Sequence, residues 1–302
     1  MEIGNFLIDE PVPELKNPHV IASLRPWLDA GGAGTLTLSR LERHLGAKDL
    51  GTLVSPGKFF DFTRYRPIMH SVDGRRKMNI PNIELRYAYG PKGTDFIFLH
   101  MLEPHVAAEE YIDSIIQLLT TLNVTRYCRV GGMYDAVPHT RQLPVMGMLN
   151  GEPLTTIEGV TGTRRSNYQG PTSIMNLIGE KIFDLGIENM TLMVRLPGYL
   201  QLEEDYSGAA RLRGVLCNLY DLPAELGTSA RGVQQYKRVS STIEGNPEVK
   251  ALVQRLESEH DTRQESSPGE VQPQPDEIIS PLSPSVEQFL RELGDAGEEE
   301  SQ

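Results

Sequence analysis

DFIFLHMLEPHVAAEEYIDSIIQLLTTLNVTRYCRVGG, residues 95–132, decides the fold class. Asp95 to Met101 is an apolar run of strand length. Ala108, Tyr111, Ile112, Ile115, Ile116, Leu119 and Leu122 then recur at helical spacing, the cleanest such stripe in the chain. Val124 to Val130 reads as a further strand, closed by Gly131 and Gly132. Strand, helix and strand in succession set a rhythm that the flanking sequence continues.

Upstream, His19 to Ser23 is a weak first strand, and Asp29-Ala30-Gly31-Gly32-Ala33-Gly34 leads into a helix carrying Leu36, Leu41 and Leu45. That turn is no dinucleotide fingerprint: Gly-x-Gly-x-x-Gly spacing is missing and Arg25-Pro26-Trp27 breaks the strand-to-helix turn. Residues 67–89 read as antiparallel strands, with Asp73-Gly74 at a hairpin turn and Ile83, Leu85, Tyr87 and Tyr89 alternating. Downstream, Val145 to Leu149 is a strand, Gly170-Pro171-Thr172 opens a helix with Ile174, Leu177, Ile178 and Ile182, and Thr191 to Leu196 is another strand. Ser207 to Tyr220 and Pro247 to Glu259 complete the helices. The alternation predicts an α/β fold, a three-layer αβα sandwich with a mixed sheet, over residues 1–259.

The net charge of −12 is unevenly spread: residues 260–302 hold eleven acids against Arg263 and Arg291, which leaves the body at −3. A general nucleic-acid binder needs a basic footprint to release counterions, so nucleic acid is not an expected partner. No run approaches the roughly 20 apolar residues of a membrane span, and Met1 to Glu10 lacks a basic leader, so a cytoplasmic protein without membrane contact is expected. Cys128 and Cys217 lack paired spacing and read as buried thiols. Residues 260–284, with five prolines among Ser, Gln and Glu, read as a disordered linker. Within residues 285–302, Val286, Phe289, Leu290 and Leu293 fall at i, i+3, i+4 and i+7 ahead of an acidic end. Such a short amphipathic helix forms only against a surface, its own domain or another molecule.

In open α/β sheets the useful crevice lies beyond the carboxyl ends of the strands. Glu103-Pro104-His105 follows one strand, the Gly131 to Arg141 segment the next, and Arg195 to Tyr199 a third. The paired glycines are expected to take positive φ and turn the chain out of the sheet, so that His139, Thr140 and Arg141 project. Convergence of the three ends would gather a carboxylate, two imidazoles, two guanidinium groups and a phenol. Gly170-Pro171-Thr172 would add a helix N-terminus suited to an anion, and a phosphate or ribose fits the set. The competing reading makes the same residues structural: Arg141 paired with an acid, His139 capping a neighbouring element, Glu103 and His105 a capping pair. No nucleophile with its base is legible. His100, Glu103 and His105 do not read as a metal site, since residues 100 and 103 of a strand face opposite ways and no third ligand is signalled. No metal or cofactor is expected. The stretch Lys58, Phe59, Phe60, Phe62, Arg64, Tyr65 and Arg66 reads as a subunit interface.

Glu14-Leu15-Lys16-Asn17-Pro18, Trp27-Leu28-Asp29-Ala30-Gly31, Arg66-Pro67, Leu102-Glu103-Pro104, Gly131-Gly132, Pro138-His139-Thr140-Arg141 and Gly170-Pro171-Thr172, in that order, resemble the proteasome assembly chaperone 2 family. The resemblance runs from about Glu10 to Asp261. It implies a fold similar to nucleoside phosphorylases and hydrolases, homo-oligomers, and a chaperone-like role toward a protein partner such as proteasome subunits. The matched polar positions Asp29, Glu103, His139, Thr140 and Arg141 become candidates for a shared pocket. Two departures bear on function. Pro197-Gly198-Tyr199 stands where members commonly have Pro-His-Tyr, removing an imidazole. The chain ends Glu300-Ser301-Gln302, without the hydrophobic residue and Tyr by which related chaperones dock. The Val286 to Leu293 helix is then the better candidate for docking. The expected function is protein interaction or assembly; the alternative is a hydrolase or phosphorylase acting on a nucleoside or nucleotide, with Arg141 holding phosphate and Glu103 or His139 as acid or base.

Overall fold

The computed structural model describes residues 1–154, 156–162 and 170–265. In chain order the elements are β1 (Glu2–Ile3), β2 (Phe6–Ile8), β3 (His19–Arg25), α1 (Ala33–Leu45), β4 (Lys48–Leu53), β5 (Ile68–Val72), β6 (Arg75–Asn79), β7 (Glu84–Ala88), β8 (Phe96–Leu102), α2 (Ala108–Thr121), β9 (Arg126–Asp135), β10 (Val145–Leu149), β11 (Glu152–Pro153), β12 (Val160–Gly162), α3 (Ile174–Asp184), β13 (Glu188–Pro197), α4 (Tyr206–Tyr220), α5 (Ala230–Ile243) and α6 (Pro247–Glu265). One sheet runs β1-β2-β4-β7-β8-β3-β9-β13-β10-β11, with β12 beside β10. β8, β3, β9 and β13 are mutually parallel and central; β7 and β10 flank them antiparallel. The architecture is the expected three-layer αβα sandwich with a mixed sheet.

Central parallel strands are covered on both faces, so their sequences are apolar throughout rather than alternating. Val20, Ala22, Leu24, Ile97, Leu99, Met101 and Tyr127 face α2 and α3, which supply Tyr111, Ile115, Leu118, Leu119, Met175 and Ile178. Ile21, Phe96, Phe98, Cys128, Val130, Leu192 and Val194 face α1 and α4. Both cysteines are buried, and burial pushes the Cys128 thiol up to about 12. A third cluster joins Tyr199, Leu200 and Leu202, beyond the end of β13, to Val239 and Ile243 of α5 and Val249, Val253 and Leu256 of α6.

The structure alters several expectations. β9 does not stop at Gly131: it stays paired with β13 through Gly131↔Met193 and Gly132↔Val194 to Asp135↔Pro197, and neither glycine has a positive φ. The glycines serve close approach instead, because a Cβ on Gly131 would lie 2.0 Å from the Leu28 carbonyl oxygen and one on Gly132 2.6 Å from that of Ala30. The aromatic stretch is not a subunit interface at its centre, since Phe59 and Phe60 are fully buried against Tyr111 and Tyr65 in this chain's own core. α5 and the strands β1, β2 and β4 were not read from the sequence: the three strands are only two to six residues long, and α5 buries only Gly232, Val239 and Ile243. α6 runs on to Glu265, past the expected boundary at Glu259. The Val286, Phe289, Leu290 and Leu293 segment lies outside the described residues. The Asp73-Gly74 hairpin forms as read: φ values of 52° and 72° are those of a two-residue primed turn joining β5 to β6.

Candidate functional site

The ends of four strands, β3, β8, β9 and β13, carry the expected site residues, and most of these residues are held by separate partners. Asp29, at the end of the β3 connection, directs its carboxylate at the start of α1. Oδ1 accepts from the Gly34 and Thr35 amides at 2.7 and 3.2 Å, and Oδ2 accepts from Thr35 Oγ1 at 2.6 Å. A carboxylate there satisfies orphan amides and complements the helix dipole. Gly131 and Gly132 let this turn sit directly on β9, where Asp29 bridges to Gly132 and the Gly132 amide donates to the Leu28 carbonyl at 3.0 Å.

Glu103 follows β8 and reaches the other helical layer. Its Oε1 accepts from the Ile174 amide, the first of α3, at 3.2 Å, while the Tyr65 hydroxyl donates to its backbone carbonyl at 3.1 Å. Gly170 and Thr172 therefore do lead to a helix N-terminus facing a candidate site residue, but Glu103 already fills the anion position. Thr172 Oγ1 accepts from Asn176 Nδ2 within the same turn. Glu103 Oε2 and Ser173 Oγ are buried with no hydrogen-bond partner. Burial raises the Glu103 carboxyl above its ordinary value, partly offset by the Ile174 amide. His105 holds the aromatic segment instead of a ligand: its Nδ1 accepts from the Asp61 amide at 3.1 Å and its ring lies 4.6 Å from that of Tyr65. A carboxyl with a raised folded-state pKa is most stable protonated, so this group's contribution is lost as pH rises above the ordinary carboxyl range. Glu103→Gln keeps an acceptor for Ile174 and removes the ionisation. Its melting temperature is expected to exceed that of the parent at pH 7.5, with a narrower gap at pH 5.5. A lower melting temperature at both would place the ionised carboxylate in a favourable interaction.

His139, Thr140 and Arg141 face α5 and α6. His139 is buried, 6 % exposed, with Nδ1 2.5 Å from the Tyr199 hydroxyl and Nε2 3.0 Å from Ser240 Oγ of α5. The Tyr199 oxygen also accepts the His139 amide at 2.9 Å, and Ser240 Oγ donates to the Tyr236 carbonyl at 3.0 Å. Each group is satisfied if Tyr199 donates to Nδ1 and Nε2–H donates to Ser240, which makes the imidazole neutral. Burial holds its pKa at about 4. Thr140 Oγ1 donates to Glu257 of α6, and Arg141 spans Glu257 at 3.1 Å and Asp261 at 2.8 Å. The pair of guanidinium bonds holds the Asp261 carboxyl down at about 2. Arg195, on β13, pairs at 2.5 Å with Asp135 at the end of β9. The structure thus brings His139 and Tyr199 into contact. It separates Asp29, Glu103 and Arg195 into three other sets of partners.

A cleft of about 530 Å³ lies elsewhere, between α1 and strands β3, β7 and β8, lined by Arg25, Glu42, Arg43, Glu84, Arg86 and His100 among others. Buried Glu42 accepts from His100 Nε2 at 2.5 Å and from Arg86 at 3.3 Å. Sequence reasoning missed it, although a histidine inside the apolar run Phe96 to Leu102 was the available signal: a polar side chain there has to meet a partner from the covering helix.

Fold and contacts define a three-layer α/β protein whose strand-end residues mostly fasten its own helices. A family model described as the PAC2 family matches residues 23–235, and the chain belongs to that family. The fold is shared with a Corynebacterium glutamicum protein of unknown function, at 19 % identity and TM-score 0.76 over 86 % of this chain and 98 % of that one. It is shared with a Mycobacterium tuberculosis protein of unknown function, at 23 % identity and TM-score 0.72 over 88 % and 91 %. A second Mycobacterium tuberculosis protein, described as a proteasome-assembly chaperone homologue, matches at 22 % identity and TM-score 0.66 over 78 % and 99 %. No curated protein matches the chain.

Proposed function

We propose that this chain is a protein-interaction module with an assembly-chaperone role, homo-oligomeric and cytoplasmic, acting on a protein partner for which proteasome subunits are the first candidates. The observation that carries the reading is the fate of the polar strand ends: Asp29, His139, Thr140 and Arg141, which an enzyme of this layout would aim at a substrate, are spent on α1, α5 and α6. Family membership and the description of the chaperone homologue support the same class. Among the described residues no helix is long and apolar enough to cross a membrane. Quantitative co-purification from the native source tests the reading. Stoichiometric recovery of proteasome α-subunits or another protein is expected, and recovery of the chain by itself would overturn it.

One observation favours the enzyme alternative, and it moves the site from His139 to Glu103. The partnerless Glu103 Oε2 and Ser173 Oγ beside the α3 N-terminus supply an acid with a raised pKa and a hydroxyl to a polar ligand. Nucleosides offered with inorganic phosphate should then raise the melting temperature of the parent and not of Glu103→Gln; no shift in either removes this second reading.

A further inference from the structure

The cleft between α1 and strands β3, β7 and β8 pairs the charges in its floor and leaves those on its walls free. Thr35, Ser39, Arg43 and Gly46 recur at i, i+4, i+8 and i+11, so they form one stripe of α1 along the cleft. Facing them are Arg25 at the end of β3, His100 of β8, and Glu84 and Arg86 of β7, with Glu84 opposite His100 in the sheet register. Buried Glu42 accepts from buried His100 and from Arg86, and Arg86 also donates to Asp49 at 3.0 Å. Those charges are satisfied by one another. Arg25 and Arg43 are exposed, and neither guanidinium has an ion pair or hydrogen bond among the described residues. The same is true there of the Glu84 carboxylate, the Ser39 hydroxyl and His100 Nδ1.

Two unpaired guanidinium groups on different walls of one cleft suit the oxygens of a phosphate, since each can donate a parallel pair of N–H bonds. The remaining free groups suit hydroxyls. Because the Glu42 carboxylate requires a donor, the His100 ring carries its proton on Nε2, and the neutral ring offers Nδ1 as an acceptor. Glu84 also accepts, and Ser39 can do both. Among the lining residues only Ala47 has an apolar side chain, so a nucleobase or an acyl chain finds no wall to pack on. At about 530 Å³ the space is more than a bare phosphate fills and lies within the range of small-molecule sites, roughly 300–1,000 Å³. We propose that this cleft binds a phosphate monoester of a polyol, such as a sugar phosphate, with Arg25 and Arg43 on the phosphate and Ser39, Glu84 and His100 on the hydroxyl groups. Glu42 and Arg86 are positioning residues that hold the His100 ring in its tautomer. The site shares no residue with the α3 N-terminus at Glu103 or with the His139 corner, and it goes beyond the protein-interaction reading without depending on it.

Isothermal titration of the purified full chain with ribose 5-phosphate, glucose 6-phosphate and glycerol 3-phosphate tests it, with ribose and inorganic phosphate as controls. At least one ester is expected to bind saturably with Kd below about 1 mM, inorganic phosphate at least about tenfold more weakly, and ribose not at all. A full-length Arg25→Gln, Arg43→Gln variant, both exposed positions, should keep the melting temperature of the parent and bind that ester at least about tenfold more weakly. Glu103→Gln should bind it as the parent does, which separates this site from the alternative reading at α3. Failure of every ester to reach that affinity overturns the proposal. So does binding that the double variant retains or that Glu103→Gln loses, either of which would place the ester elsewhere. Inorganic phosphate bound as tightly as the esters overturns it too, because the polyol would then go unrecognised. Because the titrations use the purified chain, they are decided independently of any co-purified protein.

Discussion

Gly131→Ala is expected to destabilise the protein by about 4 kcal/mol or more, enough to remove most folded material from a domain whose total stability is of order 5–15 kcal/mol. The added methyl would sit 2.0 Å from the Leu28 carbonyl oxygen, 3.1 Å from its carbon and 3.2 Å from Met193 Sδ. The first two are backbone atoms, so no rotamer change relieves the clash, and overpacking against a fixed neighbour costs more than the 1–3 kcal/mol typical of cores, roughly. Relief requires the 28–32 turn to lift off β9. That breaks the Gly132–Leu28 hydrogen bond and the Asp29↔Gly132 bridge, and it withdraws the Asp29 carboxylate from Gly34 and Thr35. The first turn of α1 loses its cap and its seat together. Gly46→Ala is the control: it sits at φ 63° with no atom within 4 Å of the added methyl, so only the left-handed backbone cost of roughly 1–2 kcal/mol applies. Urea unfolding of the two variants should therefore separate widely. Equal midpoints would show that the turn moves freely and that the glycine pair is not what holds it to the sheet.

The same glycines show where sequence reasoning reached and where it stopped. Apolar runs and helical stripes are local, so β3, β8, β9, β13 and α1 to α4 were legible to within a few residues. Gly131 and Gly132 were legible as special but not in their purpose, because a glycine needed for positive φ and one needed for close approach of a distant backbone look alike in one dimension. Pro138 to Arg141 reads as a polar loop in either case. That Arg141 meets acids was one of the readings left open. That those acids are Glu257 and Asp261, more than a hundred residues on, depended on where α6 packs. Phe59 and Phe60 were assigned to an interface because a loop rich in aromatics and charges carries no period. The fold tucks the two rings under α2 and leaves the charges outside. Glu42 of the cleft was invisible since nothing local links it to His100, 58 positions away.

Acid should unfold this protein well before its carboxylates are protonated, and His139 and His19 set the midpoint. Both are neutral in the fold with pKa values of about 4, against an ordinary 6.5, chiefly through burial; for His19 the nearby Arg126 guanidinium adds to it. A lowered folded pKa means the unfolded chain binds more protons, so stability is complete above pH 6.5 and falls as pH drops through the window from 6.5 to about 4. Each imidazole then contributes a loss of about 3 kcal/mol, since one pKa unit corresponds to 1.36 kcal/mol, roughly. Two such groups consume much of an ordinary stability. Glu103 works in the opposite sense over the lower part of this range. Asp261, held at about 2, loses its contribution only below the window. At His139 the mechanism is specific. A proton on Nδ1 faces the Tyr199 oxygen, which already accepts the His139 amide and would have to turn its own hydrogen away from the ring. That hydrogen would give up its bond to Nδ1 inside the buried corner formed with α5, which adds to the burial cost that keeps the imidazole neutral. Urea unfolding at pH 7.5, 6.0 and 5.0 is expected to give a steep decline for the parent. His139→Gln, which loses about 1–3 kcal/mol at pH 7.5 from unpaired Tyr199 and Ser240 groups, should show roughly half the slope. A parent profile flat across that window would mean that the fold accepts both protons, and that the corner joining β9, β13 and α5 opens without unfolding.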